Sequence, residues 1–232
     1  GYGMLGLALN SVILASLTTL IAWWTLKKVQ PGIQVKLCSD WPLLKEMFYY
    51  GAKLQVSRLG GLVCFQVDKL IISRFLGVAA VSFYEVSSRL TLFMRALPLV
   101  MISALIPATS ELGARKDRTR ILKAYMLVSK YVVMLTVALV AFVILEADSL
   151  LRLWLGSGFE SSVVLVQVLA IGYGVNVMGG AASQTGAGVG RPEFDMKGTI
   201  LLTILNPALS LFLVQHFGAP GAAAGTSLAL II

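Results

Sequence analysis

The side chains able to do chemistry in this chain are charges set in apolar surroundings. Two long, mostly apolar stretches between Phe48 and Leu112 carry Arg58, Asp68, Lys69, Arg74, Glu85, Arg89 and Arg95, and a tight turn at Phe75, Leu76 and Gly77 joins them. Each stretch exceeds the ~20 helical residues that cross a bilayer. A charge at such depth is costly and normally faces a bundle interior or a watery cavity. The chemistry on offer is therefore recognition of charge. Guanidinium groups grip a phosphate through two parallel hydrogen bonds, and acid–base pairs can lock or gate a helix pair.

An antiparallel helical hairpin fixes depth by arithmetic. With the turn centred at 76–77, residues whose numbers sum to about 153 lie level. Lys69 then falls beside Glu85, and Asp68 lies about four residues, or ~6 Å, from Arg89. The pairs Lys69–Glu85 and Asp68–Arg89 are expected to neutralise each other near the turn, as a lock or a gate. Arg58 falls level with Arg95, ~25 Å from the turn, and neither has an acid at its own depth. Gln55 and Lys69 share the Arg58 face of their helix. Arg58, Arg95, Gln55 and Lys69 form the expected substrate-binding set, with Arg58 turned inward; the alternative for Arg58 is snorkelling to the interface. Asn206 and Gln184 are expected to hydrogen-bond between helices, and His216 to sit at the interface.

The elements that position these charges are membrane helices. The 232 residues are 57% hydrophobic and only 13% charged, where a soluble domain carries about 25% charged residues. Mean hydropathy is +0.85. The net charge of +8 does not point to nucleic acid, because most basic residues sit in short segments between apolar runs and no basic stripe with interleaved aromatics accompanies them. That distribution is what the positive-inside rule produces. Cys38 in a linker and Cys64 in a helix argue against a disulfide framework. One histidine and scattered carboxylates make no zinc set and no nucleophile-plus-base pair, so neither a metal, a cofactor nor an enzyme is expected.

The expected fold is all-α, a polytopic transmembrane bundle of about seven helices. Spans are expected at 3–26, 45–74, 78–110 (interrupted by Pro98 and Pro107), 124–145, 161–185 and 198–215. Gly218 and Pro220 then turn the chain into a truncated seventh. The basic segments 27–44, 111–123 and 186–197 all fall on one face, which the positive-inside rule makes cytoplasmic. The acidic segment 146–160 falls outside. Gly172, Asn176, Gly179, Gly180 and Ser183 recur at three- and four-residue steps, a small-residue stripe that lets helices approach closely in lipid. The chain starts at Gly1 without a basic n-region and stops inside an apolar run, so a piece of a longer transporter-sized protein is expected.

Several stretches carry a resemblance: GYGMLGLAL, VDKLIISRFLGVAAVSFYEVSSRL, ALIPATSELGARKD, LLRLWLGSGF and HFGAPGAAAGTSLA. In order and spacing they resemble the Wzx-type O-antigen and exopolysaccharide flippases of the multidrug/oligosaccharidyl-lipid/polysaccharide exporter superfamily. Members of that family have about 12–14 helices in two related halves. The resemblance implies that residues 1–27 are the last helix of the N-terminal half, 28–44 a cytoplasmic inter-half linker, and 45–232 an incomplete C-terminal half. It also implies a function: flipping an undecaprenyl-pyrophosphate oligosaccharide across the cytoplasmic (inner) membrane for surface polysaccharide synthesis. The implied partners are membrane lipid, the lipid-linked oligosaccharide and the glycan polymerase machinery. A cation-coupled multidrug exporter of the same superfamily is the alternative, and a membrane-embedded glycan polymerase or ligase a third. Deep arginines outnumber deep acids, which favours an anionic cargo.

Overall fold

The computed structural model describes residues 3–29 and 40–232, all of the regular structure there being helical. The chain divides into two compact units, residues 1–44 and 45–232. In the first, α1 (Gly3–Val29) ends with Lys27 and Lys28 folded back over the rings of Trp23 and Trp24, 5.3 and 5.2 Å from the centroids. Aromatic belts of this kind suit a membrane–water boundary. The helix runs two residues beyond Lys27; most of the expected linker, Cys38 included, lies outside the described residues.

The second unit is a helical bundle. Helix α2 (Trp41–Leu76), whose first four residues fall in the first unit, starts earlier than the hydropathy pattern implies. The Asp40 side chain accepts from the Leu43 amide at 3.3 Å, and Pro42 sits in the first turn, where a helix needs no amide donor. Gly77, at φ 85°, turns the chain into α3 (Val78–Ser103). The break expected around two prolines falls at Ala104, before α4 (Leu105–Ala114). Pro107 explains it: a residue there with an amide would have bonded the Ser103 carbonyl. Helix α5 (Arg118–Leu145) begins inside the basic segment, because Asp117 accepts from the Arg120 amide at 3.0 Å and caps it. A short amphipathic α6 (Ala147–Leu155) lies in the segment expected to be a plain outer loop. Helix α7 (Ser162–Gly188) and the long α8 (Glu193–Ile231) complete the chain.

Five helical segments among the described residues are long and apolar enough to cross a membrane: Leu9–Val29, Val78–Ala114, Arg118–Leu145, Ser162–Gly188 and Glu193–Ile231. With the family match and relatives described below, they make this a multi-pass membrane protein. Helix α2 is a 36-residue helix, but Lys53, Arg58, Asp68, Lys69 and Arg74 lower its hydropathy below that of the others. Packing, as well as its own apolarity, holds it in the bundle.

Small residues set how closely the helices approach. Helix α7 packs against α3, α4, α5, α6 and α8. A β-carbon on Gly172 would stand 2.5 Å from Cα of Ser227 in α8. The stripe is not a single contact face, however: Gly180 meets Ile102, while Gly179 has no neighbour within 4 Å of a β-carbon among the described residues. Helix α8 reverses at Gly218, whose φ of 64° and ψ of −143° are non-helical. Its two arms then lie antiparallel, Gly221 against Leu213 and Gly225 against Ser210. The turn expected at Gly218 and Pro220, into a seventh helix, is thus present as the reversal of a helical hairpin.

This packing yields a direct expectation. A β-carbon on Gly225 would stand 2.6 Å from the Ser210 backbone nitrogen, whereas one on Gly61 meets nothing within 4 Å among the described residues. Gly225→Ala should lower the thermal unfolding midpoint of the purified full-length protein, at a cost of about 1–3 kcal/mol. Gly61→Ala should leave it unchanged or raise it, since alanine is better than glycine in a helix by ~1 kcal/mol.

Candidate functional site

The α2–α3 hairpin brings its charges together in three separate groups. In the first, Lys69 Nζ lies 2.6 Å from Glu85 Oε2, the pair the hairpin arithmetic expects. Arg89 does not join Asp68. Its Nε donates to Glu85 Oε1 at 2.9 Å, one turn away on the same helix. The reason is azimuth: successive helical residues point ~100° apart, so Lys69 faces the Glu85 side while Asp68 turns into the core. The Arg89 side chain is 68% exposed, while Asp68 is 1% exposed.

Asp68 centres the second group. Its Oδ2 accepts from the Tyr84 hydroxyl at 2.9 Å, from the Thr226 hydroxyl at 2.7 Å and from Asn206 Nδ2 at 3.3 Å. Asn206 Nδ2 also donates to the Cys64 carbonyl at 2.9 Å, and its Oδ1 accepts from Ser210 at 3.1 Å. Ser210 is further tied to the Ala222 carbonyl at 3.3 Å. Four segments converge here: α2, α3 and both arms of α8. The second carboxylate oxygen, Oδ1, is sealed from solvent and has no hydrogen-bond partner among the described residues. Asn206 bridges helices as expected.

Arg95 holds the third group. Its Nη2 donates to Asn176 Oδ1 at 3.2 Å, and its guanidinium carbon lies 5.4 Å from the Phe65 ring and 5.3 Å from the Tyr173 ring. Those two rings meet edge to face at 5.6 Å. Such cation–π contacts partly replace lost hydration. Arg95 has no acid partner among the described residues, and its Nε is buried without an acceptor. Equal depth with Arg58 does not make them neighbours: the guanidinium lies against Phe65, seven positions along α2. Helical side chains lean toward their own N-terminus, and for α3 that direction is back toward the turn.

Arg58 and Gln55 sit on an exposed face of α2, away from Arg95. Beside them is a cluster that sequence reasoning missed. Asp195, at the start of α8, accepts from both Ser57 of α2 and Ser183 of α7, and Ser57 also meets Thr199 at 3.1 Å. Lys53 pairs with Glu193 at 3.5 Å, and the Tyr50 hydroxyl donates to the Ala187 carbonyl at 3.0 Å. These contacts tie the basic ends of α2, α7 and α8. Also missed were Tyr84, Thr226 and Tyr173, and the bond of Asn176, named only for the small-residue stripe, to Arg95. The sum rule held the signal for the first, since 68 and 84 sum to 152. His216 is exposed, its ring nitrogen 3.0 Å from the Phe212 carbonyl. At the opposite end, Arg152 pairs with Asp148 at 2.9 Å. Its own backbone amide and that of Gly158 hold the Glu160 carboxyl below its ordinary range.

The arrangement can do two things chemically: present a cation with free hydrogen-bonding capacity to an anion, and present a buried carboxylate to a proton or small cation. A model for the family described as "Polysaccharide biosynthesis protein" matches residues 1–164. A putative O-antigen transporter of Shigella flexneri is 25% identical over 191 residues, covering 81% of this chain and 44% of that protein. A probable low-salt glycan biosynthesis flippase, Agl15, of Haloferax volcanii is 23% identical over 228 residues, 97% of this chain and 47% of that one. The chain thus spans about half the length of these curated relatives. Among solved structures, a MATE in the straight conformation covers the whole chain and 54% of its own at a TM-score of 0.87 and 20% identity. An outward-facing multidrug resistance MATE family transporter of the MOP superfamily gives 0.81 over 96% of this chain and 51% of its own, also at 20% identity. At such identities the likeness establishes the fold.

The geometry around Asp68 predicts specific couplings. In double-mutant cycles read by thermal unfolding of the full-length protein, Asp68→Ala and Tyr84→Phe should be non-additive by about 0.5–3 kcal/mol. Asp68→Ala and Arg89→Ala should add within ~0.5 kcal/mol, as non-contacting sites do. Coupling with Arg89 and none with Tyr84 would contradict the assignment.

Proposed function

The chain belongs to the polysaccharide biosynthesis protein family, and from that membership we propose that it is the larger part of one half of a flippase for a lipid-linked oligosaccharide. The supporting observation is Arg95, a cation held among membrane helices by a neutral amide and two aromatic faces, with no carboxylate partner among the described residues. A guanidinium in that state retains hydrogen-bonding capacity for the pyrophosphate of an undecaprenyl carrier. The two relatives named as an O-antigen transporter and a glycan flippase support the same cargo.

In this proposal Arg95 makes the principal contact with the anion. Arg58, Gln55 and Lys69 supply further polar lining on the α2 face that opens toward the remainder of the transporter. Residues 1–27 belong to the preceding half, 28–44 to the connection between halves, and 45–232 to the second half. The Lys69–Glu85–Arg89 network closes the outer end of the hairpin, and the Asp195 cluster the inner end. Alternating access then breaks one closure while keeping the other. Asp68 is the group whose charge is neutralised during the cycle, by a proton or a small cation, because its Oδ1 is sealed and lacks a hydrogen-bond donor among the described residues. Intramembrane acids of this kind commonly serve ion coupling. The setting is the cytoplasmic membrane, the basic end is cytoplasmic, and the glycan polymerase machinery receives the product. The relatives are named for transport and not for catalysis, which supports a protein that moves its cargo without altering it.

Buried Asp68 also suits a cation-coupled drug exporter, which is the reading the MATE fold keeps open. The experiment that separates the two is glycan display in a flippase-deleted host complemented with full-length variants. Arg95→Gln should abolish display with the protein still inserted at normal levels, and Arg95→Lys should retain part of it. Full display with Arg95→Gln, together with lost drug tolerance on Asp68→Asn, would favour the exporter.

A further inference from the structure

At the basic end of the second unit, a cleft of about 1170 Å³ opens between the α4–α5 and α7–α8 junctions. Lys116, Arg118 and Arg191 line it, converging from separate stretches of chain, together with Leu122, Tyr125 and Val189. The neighbouring acids are already engaged. Glu111 pairs with Arg115 at 2.8 Å, Asp117 with Arg120 at 3.2 Å and Glu193 with Lys53 at 3.5 Å. Among the described residues the three cations of the cleft have no ion pair.

Two features say what such a cleft receives. Lys116 stands at φ 55°, alone among the described non-glycine residues in a left-handed conformation. It occupies the position after α4 where glycine or asparagine is the usual choice, so a long cationic side chain is kept there against the backbone's preference. The second feature is the face of α5 below it. Arg118, Leu122 and Met126 follow at four-residue steps and share one side, with Leu122 55% and Met126 51% exposed. A cation at the rim followed by exposed apolar side chains along the helix matches a phosphate headgroup followed by an acyl chain. A soluble phosphate would have no use for the apolar part.

We propose that this cleft binds an anionic phospholipid of the leaflet at the basic end. Lys116, Arg118 and Arg191 take the headgroup phosphate, and Leu122 and Met126 lie along the chains. Basic pockets between membrane helices on the cytoplasmic side are suited to this use. The site is separate from Arg95 and Asp68, and does not depend on the cargo being a glycan.

The test is lipid retention by the full-length protein, read by native mass spectrometry from mixed phosphatidylglycerol and phosphatidylcholine. Wild type should retain phosphatidylglycerol preferentially. Lys116→Gly and Arg191→Gln should each weaken retention roughly fivefold, and both together ~25-fold, the effect of removing cations near an anionic leaflet. Lys116→Gly also relieves the backbone, so its unfolding midpoint should not fall, which separates lost binding from misfolding. Leu122→Gln should weaken retention as well. Equal retention of the two lipids, or undiminished phosphatidylglycerol in the double variant, would overturn the proposal. So would complete displacement by millimolar inorganic phosphate with no effect of Leu122→Gln, which would make the cleft a soluble-anion site.

Discussion

A carboxylate in a membrane interior survives only where neighbouring side chains replace its water, and Asp68 imposes that condition on the whole second unit. Its donors come from α3 and from both arms of α8. Thr226 can reach it only because α8 reverses at Gly218, and because Gly225 lets the returning arm close on Ser210. The same reversal stacks Ser227 against Gly172 of α7, the helix that contacts α3, α4, α5, α6 and α8. Polar satisfaction and close backbone packing are thus one constraint seen from two sides. Without the glycines the donors stay too far away, and without the donors an acid has no place in the core.

The legible part of this fold was the part governed by depth. Hydropathy marks the apolar helices, a glycine at positive φ marks the turn between α2 and α3, and the sum rule puts Lys69 beside Glu85. What depth leaves out is direction around the helix axis. Asp68 and Lys69 are adjacent in sequence and face different surroundings, so the expected Asp68–Arg89 pair gives way to Asp68–Tyr84. Direction along the axis matters in the same way for Arg95, whose side chain climbs toward Phe65 and away from Arg58. Helix starts inside polar segments were hidden because short caps set them: Asp40 and Asp117 each satisfy an amide that hydropathy does not register. Helix α6 was hidden by its length. Asp195 lay in a segment that reads as an ordinary basic loop, and only the approach of α2 and α7 gives its carboxylate two serine partners.

The functional picture rests on two opposite charges kept apart. Arg95 and Asp68 are not paired with each other at contact distance, and each keeps a buried polar atom with no partner among the described residues. Paired charges would lock the bundle and leave nothing for a ligand. Separated charges are what the proposed anion site and the proposed cation site each require. In a transporter that carries an anionic lipid, such separation lets occupancy of one site change the electrostatic cost of the other. Reciprocal coupling between two sites is a thermodynamic necessity once either affects the other.

The measurement that tests this most directly is the affinity of the full-length protein, in nanodiscs, for undecaprenyl pyrophosphate. Arg95→Gln removes the attracting charge and should weaken binding about tenfold or more, the scale of a hydrogen bond to a charged group. Asp68→Asn keeps the shape and removes the opposing charge, so it should tighten binding. Opposite signs for the two variants are the predicted result. Equal weakening by both, or no change from either, would contradict the account.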